Sequence, residues 1–262
     1  MTTKIPLQEL ADLLGFDPTK DVEAQIKATY RDVDVSVNAD MVEIKIDEIY
    51  TLSDEVYQHL IKLCNLGQFD KALKKAQSIY PDYKLSSALN RIIGQIYFMT
   101  FQQNKCEDYL IEALRLNPKN NSALILMGNL YHQKNDLDTA LKYWHTALRY
   151  NSDDYLSLSN IGSSLAKAGE YTEAKAFFEQ AIAVNDKFPN TYLGLGLIAY
   201  HQEDYATSFD YAIQTLLLLK EKNDVYSNAL NLSIKSAKEL TKIRVGILEN
   251  AVQDLKAKLE EI

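Results

Sequence analysis

Disulfides, membrane spans and tight-turn residues are nearly absent from this sequence, and each absence removes a class of answers. Only two cysteines, Cys64 and Cys106, stand among its 262 residues. They are too few for a disulfide framework and lack metal-ligand spacing, so a reducing, cytoplasmic setting is expected. Nine glycines and five prolines do not supply the many turns of an all-β protein. No run of about 18 apolar residues occurs, so no spanning helix is expected. The opening, MTTKIPLQELADLLGF, has neither the continuous apolar core nor the small-residue cleavage site of a signal peptide. Reactive motifs are missing too. Gly162 to Gly169 lacks the Gly-Lys-Ser/Thr ending of a phosphate loop, and Gly194-Leu195-Gly196 falls inside a helical pattern. There is no His-Glu-x-x-His and no nucleophile elbow. The sequence therefore points to no catalytic residue, no cofactor and no metal.

What is present is an ordinary folded composition, 47% hydrophobic and 24% charged, carrying a net charge of −8. The acidity is uneven. Residues 1–52 hold 5 basic and 11 acidic residues, a net −6. Acidity without a basic stripe argues against nucleic acid or anionic lipid as a partner.

A repeat organises the middle of the chain. From Gly128, steps of 34 residues reach Gly94, Gly162 and Gly196. The same step links Cys106, Ala140, Ala174 and Ser208, and then Ala113, Ala147, Ala181 and Thr215. Three small-residue positions recurring together suit two antiparallel helices per repeat, whose axes approach closely where side chains are small. Larger residues, Leu110, Trp144 and Phe178, recur between them. Polar turns such as KNDLDTA and AGEYTEA separate the helices. The phase extends upstream through Gly67, Phe69 and Ala72, so repeats begin at Ser53, Ser87, Asn121, Tyr155 and Pro189. By this phase Trp144 is a packing residue, His145 faces outward, and Cys64 and Cys106 occupy packing positions.

With Met127-Gly128, Tyr131, Ala140, Trp144 and Ala147 in one repeat, and Ile93-Gly94, Tyr97, Ala113 and Pro118 in another, the chain resembles the tetratricopeptide repeat family. The resemblance covers about 53–222 and implies an all-α fold, a right-handed α-α superhelix. Repeat one is degenerate, with Leu60 at the glycine site. The resemblance further implies a concave groove for a protein or peptide partner. The family's groove positions fall here on Arg91, Gln95, Phe98, Ile125, Asn129, His132, Gln133, Asn160, Ser163, Lys167, Asn190, Leu193 and Tyr200. An asparagine amide donates and accepts at once, which suits an extended peptide backbone. A subgroup of the family clamps a terminal carboxylate with basic groups. Its five slots hold Ile125, Asn129, Asn160, Asn190 and Gly194 here, with no cation to hold the charge, so that clamp is rejected.

The flanks differ from the repeats. IPLQELADLLGF and DVEAQIKATY read as short helices, and alternation through Val33, Val35, Val37, then Val42, Ile44 and Ile46, reads as a β-hairpin over about 32–47. A lone hairpin is marginal, so it must pack on the helices, the first repeat or a partner. A helix-turn-helix is not the reading: strand alternation stands where a recognition helix should be, in an acidic segment. Residues 223–262 carry Leu240, Ile243, Ile247, Leu248, Val252, Leu255 and Leu259 at helical spacing. They read as a capping helix, unbroken or bent near Gly246, or as a surface for self-association. The chain stops inside this pattern, as a region of a longer protein would. The function expected is an interaction scaffold. The alternatives are an acidic chaperone for a secreted protein, or the non-catalytic part of a longer enzyme such as a hydrolase.

Overall fold

The computed structural model describes residues 2–29, 33–38, 40–45, 52–219 and 221–260. They form two compact bodies, residues 1–152 and 153–262.

The N-terminal body begins with strand β1 (Thr2–Pro6), helices α1 (Leu7–Leu14) and α2 (Val22–Thr29), and strands β2 (Asp34–Asn38) and β3 (Met41–Lys45). The hairpin is present, with Val37 opposite Val42 and Val35 opposite Ile44; Ile46 lies outside the described residues. A third strand was not anticipated. β1 pairs antiparallel with the other side of β3, giving the order β1-β3-β2. Ile5, Val42 and Ile44 bury one face of this sheet against Leu10 of α1 and Ile26 of α2.

Three helical hairpins follow: α3 (Asp54–Asn65) with α4 (Phe69–Tyr83), α5 (Ser87–Met99) with α6 (Gln103–Leu116), and α7 (Asn121–Gln133) with α8 (Leu137–Tyr150). The C-terminal body holds two more, α9 (Tyr155–Ala168) with α10 (Tyr171–Val184) and α11 (Pro189–His201) with α12 (Tyr205–Leu218), and then α13 (Asp224–Glu260). Helix starts keep the 34-residue step because their caps do. Ser86, Asn120 and Asp154 each accept from the backbone N–H three residues on, satisfying donors that a helix start leaves open. Pro189 opens α11 instead, at a position where no N–H is needed.

The turns repeat as well. The fifteenth residue of every repeat takes the left-handed conformation: Gly67, Phe101, Asn135, Gly169 and Glu203, with φ between 57° and 88°. Glycine adopts this freely, whereas a side chain strains there.

Inside the hairpins, the small positions do what the spacing predicts. A methyl group at Gly94 would lie 2.8 Å from Leu110, at Gly128 2.3 Å from Trp144, and at Gly162 3.0 Å from Phe178. Each large residue lies over the glycine sixteen positions before it. Repeat one reverses the sizes: Leu60 and Ala76 hold these two places, both fully buried. In repeat five the large position is Ala212, and α13 supplies the missing bulk. Leu232 reaches the space over Gly196, and Ser236 bonds Ser208. α13 is one uninterrupted helix, and it packs against α12 as extensively as α11 does. The cap, however, is built by Ala229, Leu232, Ser233 and Ser236, upstream of the stretch whose spacing suggested it. Ile243 and Ile247 stay exposed, and the side chains of Leu248, Val252, Leu255 and Leu259 lie outside the described residues.

Candidate interaction surfaces

Two surfaces in the N-terminal body and one in the C-terminal body could meet a partner. The first is the row of first helices. α3 lies beside α5, and α5 beside α7. Of the residues the sequence assigns to a groove, Gln95, Phe98, Asn129 and His132 are half-buried and Gln133 is exposed. Arg91 and Ile125 are buried, 6% and 8% exposed, so they lie beneath this face. Arg91 donates to Gln95 Oε1 at 2.6 Å and to Tyr57 Oη at 3.0 Å, and its guanidinium sits 5.7 Å from the Tyr57 ring. Burial pulls its pKa down, opposed by Tyr57 and Cys64. It joins repeats one and two.

Asn129 has a role the sequence reading missed. Its Oδ1 accepts the Trp144 indole N–H at 3.2 Å, while the His132 ring lies 5.9 Å from the Trp144 ring. A signal did exist: a buried indole needs an acceptor, and Asn129 follows the glycine on which Trp144 packs. Asn129 is thus a groove residue and a structural acceptor at once.

The C-terminal body continues the assignment on its own helices, where α9 lies beside α11. Asn160, Ser163, Leu193 and Tyr200 are half-buried, and Lys167 and Asn190 exposed. Beneath them Thr191 donates to Ser159 Oγ at 3.4 Å. Gly194 admits Phe178, whose ring would lie 2.3 Å from a methyl group there.

The remaining surface, in the N-terminal body, lies on the second helices and no sequence pattern announced it. The sheet module docks on α6 and α8, rather than on the first repeat. Arg115 donates to the Thr29 carbonyl at 3.0 Å, Tyr143 to the Leu13 carbonyl at 3.4 Å, and Arg149 pairs with Glu9 at 3.3 Å. Tyr150 packs into the module's core. Where α1 ends, a cleft of about 1000 Å³ opens between α1, α6 and α8. Leu13, Leu14 and Ile111 line it beside Asp12, Asp138, Lys142 and the exposed His145. At its edge Glu107 pairs with Lys134 and accepts from Tyr131. Burial would raise the Glu107 pKa, but these two partners hold it below the usual glutamate range.

Neither cysteine shows reactive geometry. Both are buried, and burial, then the Glu107 charge, pushes the Cys106 thiol up to about 12. Among the described residues no group of three or more His, Cys, Asp or Glu is placed to hold a metal ion, and no helix is long and apolar enough to cross a membrane.

Known proteins place this architecture. A family profile described as the TT21 fifth ARM repeats domain matches residues 121–237. Anaphase-promoting complex subunit 6 of Arabidopsis thaliana is 25% identical over 158 residues, 60% of this chain and 29% of that protein. Tetratricopeptide repeat protein 21A of Mus musculus is 25% identical over 121 residues, 46% of this chain and 9% of that one. The chain is built of tetratricopeptide repeats. Among solved structures, PilW, a type IV pilus biogenesis factor, superposes with a TM-score of 0.64 at 17% identity, over 79% of this chain and 92% of that one, a likeness of fold. The tetratricopeptide chain spans less than a third of either curated relative. Its architecture is that of a helical-repeat scaffold for protein–protein interaction.

Proposed function

We propose that each body of this scaffold offers its first helices to an extended peptide segment of a protein partner. One observation carries the reading. In each body the first helices of successive repeats lie side by side, and amide, hydroxyl and aromatic groups stand half-buried on them at the sixth, ninth and twelfth repeat positions. Gln95 and Asn129 serve in one body, and Asn160, Ser163 and Tyr200 in the other. Half-buried amides bond a peptide backbone without losing much side-chain freedom, and apolar neighbours such as Phe98 and Leu193 take its side chains.

Affinity capture with identification of the bound proteins tests this, comparing wild type with Gln133→Ala/Lys167→Ala/Asn190→Ala. All three residues are exposed, so the melting temperature should not move while capture of the partner falls about tenfold or more. Unchanged capture would sink the reading. A second reading is a non-catalytic stretch of a larger protein, favoured by matches that span only 29% and 9% of the curated relatives.

A further inference from the structure

Between Val56 and Cys106 the chain holds seven basic residues and two acidic ones, Asp70 and Asp82, a net +5 within a chain of net −8. This is the basic stretch of an acidic protein, and its turn edge carries the most exposed aromatic ring among the described residues. Phe101, 76% exposed, stands just past α5, after Met99 at 48%, and Leu66, 59% exposed, ends α3. α3 and α5 both pack on α4 and on each other, and Tyr57 bonds Arg91 at the same position of each repeat. The two helices therefore end at one edge, bringing Leu66 to the side of Met99 and Phe101.

Phe101 is also strained. It occupies the left-handed turn position with φ 57°, where the other repeats use Gly67, Asn135, Gly169 and Glu203. A bulky side chain is disfavoured in this conformation, and its exposure shows that no packing inside the body offsets that. The turns at this end of repeats one and two carry three exposed lysines, Lys62, Lys71 and Lys105, against one exposed carboxylate, Asp70. Lys71 and Lys105 each donate to the glutamine of their own turn, Gln68 and Gln102, and among the described residues none of the three pairs with a carboxylate.

We infer that this edge is a second docking surface, for an acidic segment of a protein partner bearing one aromatic or aliphatic anchor between carboxylates. The anchor would lie on Leu66, Met99 and Phe101, with the flanking carboxylates reaching the lysines. Charge complementarity selects this occupant, since a basic segment would meet Lys62, Lys71 and Lys105, and a second copy docked edge to edge would bring the same three lysines.

A display library of random short peptides, panned on the full chain, tests the assignment. Wild type should enrich sequences with Trp, Phe or Leu flanked by Asp and Glu. Phe101→Gly should bind a selected peptide at least about tenfold more weakly, while melting at the wild-type temperature or above it, because glycine relieves the turn. Lys62→Glu/Lys105→Glu should weaken it likewise, and Gln133→Ala/Lys167→Ala/Asn190→Ala should bind it normally, separating this edge from the first-helix row. Absence of acidic-anchor enrichment overturns the assignment, as does equal binding by Phe101→Gly. A wild-type dimer in sedimentation that Phe101→Gly dissociates also overturns it, placing a second copy there.

Discussion

The chain's single tryptophan shows how a rare residue can be wholly structural. Trp144 is 2% exposed, rests on Gly128, and gives its N–H to Asn129. Trp144→Ala is expected to cost about 3–5 kcal/mol, as large-to-small changes in cores do. The glycines beneath the large residues differ in how much they can give way. At Gly128 an added methyl would overlap a rigid indole at 2.3 Å, whereas at Gly94 it would meet the far end of the Leu110 side chain at 2.8 Å. Gly128→Ala should therefore destabilise by roughly 1–3 kcal/mol, and Gly94→Ala by clearly less. Denaturant melts of the two variants check the order; equal losses would mean the indole is not the obstacle.

At the scale of elements, helix limits were legible because caps, turns and small residues recur at one period. The left-handed fifteenth position was legible only in part, since Gly67 and Gly169 announce it and Phe101 and Glu203 do not. Glu203 offers a clean test of its cost, being exposed with φ 62°. Glu203→Gly should stabilise by about 0.5–1 kcal/mol, the left-handed strain relieved less the extra freedom glycine brings to the unfolded chain. A lower melting temperature would show that Glu203 earns its place through its side chain. β1 went unread because a five-residue strand ending at Pro6 offers only Thr3 and Ile5 as an inward pair. In α13 the apolar spacing beyond Leu240 drew attention from Ala229, Leu232, Ser233 and Ser236, small or solitary residues that nevertheless make the cap.

Across the N-terminal body, the docking of the sheet module rests on contacts far apart in sequence, such as Arg115 with Thr29, 86 residues away. No local period encodes these, so neither the module's seat nor the cleft beside it could be read from the chain. The groove residues were legible as repeat positions, but the burial of Arg91 and Ile125 depends on how neighbouring helices close over them. The module's seat has a pH signature. Burial, then the Glu107 charge, pushes the Tyr143 hydroxyl up to about 12. Its neutral form is thus favoured in the fold. The associated stability is fully present below the ordinary tyrosine pKa, near 10, and is lost as pH rises through about 12. Melts from neutral to strongly alkaline pH should fall over that window and should fall less in Tyr143→Phe. A parallel decline in both proteins would assign the loss to other groups.

The pairing of sizes across each hairpin also bears on how such a chain changes over time. Glycine under Trp144, glycine under Phe178, and the reversed Leu60 with Ala76 share out one volume between two sites sixteen residues apart. Neither site can be altered freely alone, yet the pair can be exchanged. Descendants of this sequence should therefore drift by coupled substitutions at those two sites, and an aligned set of them should show covariation there where single-site preference looks weak.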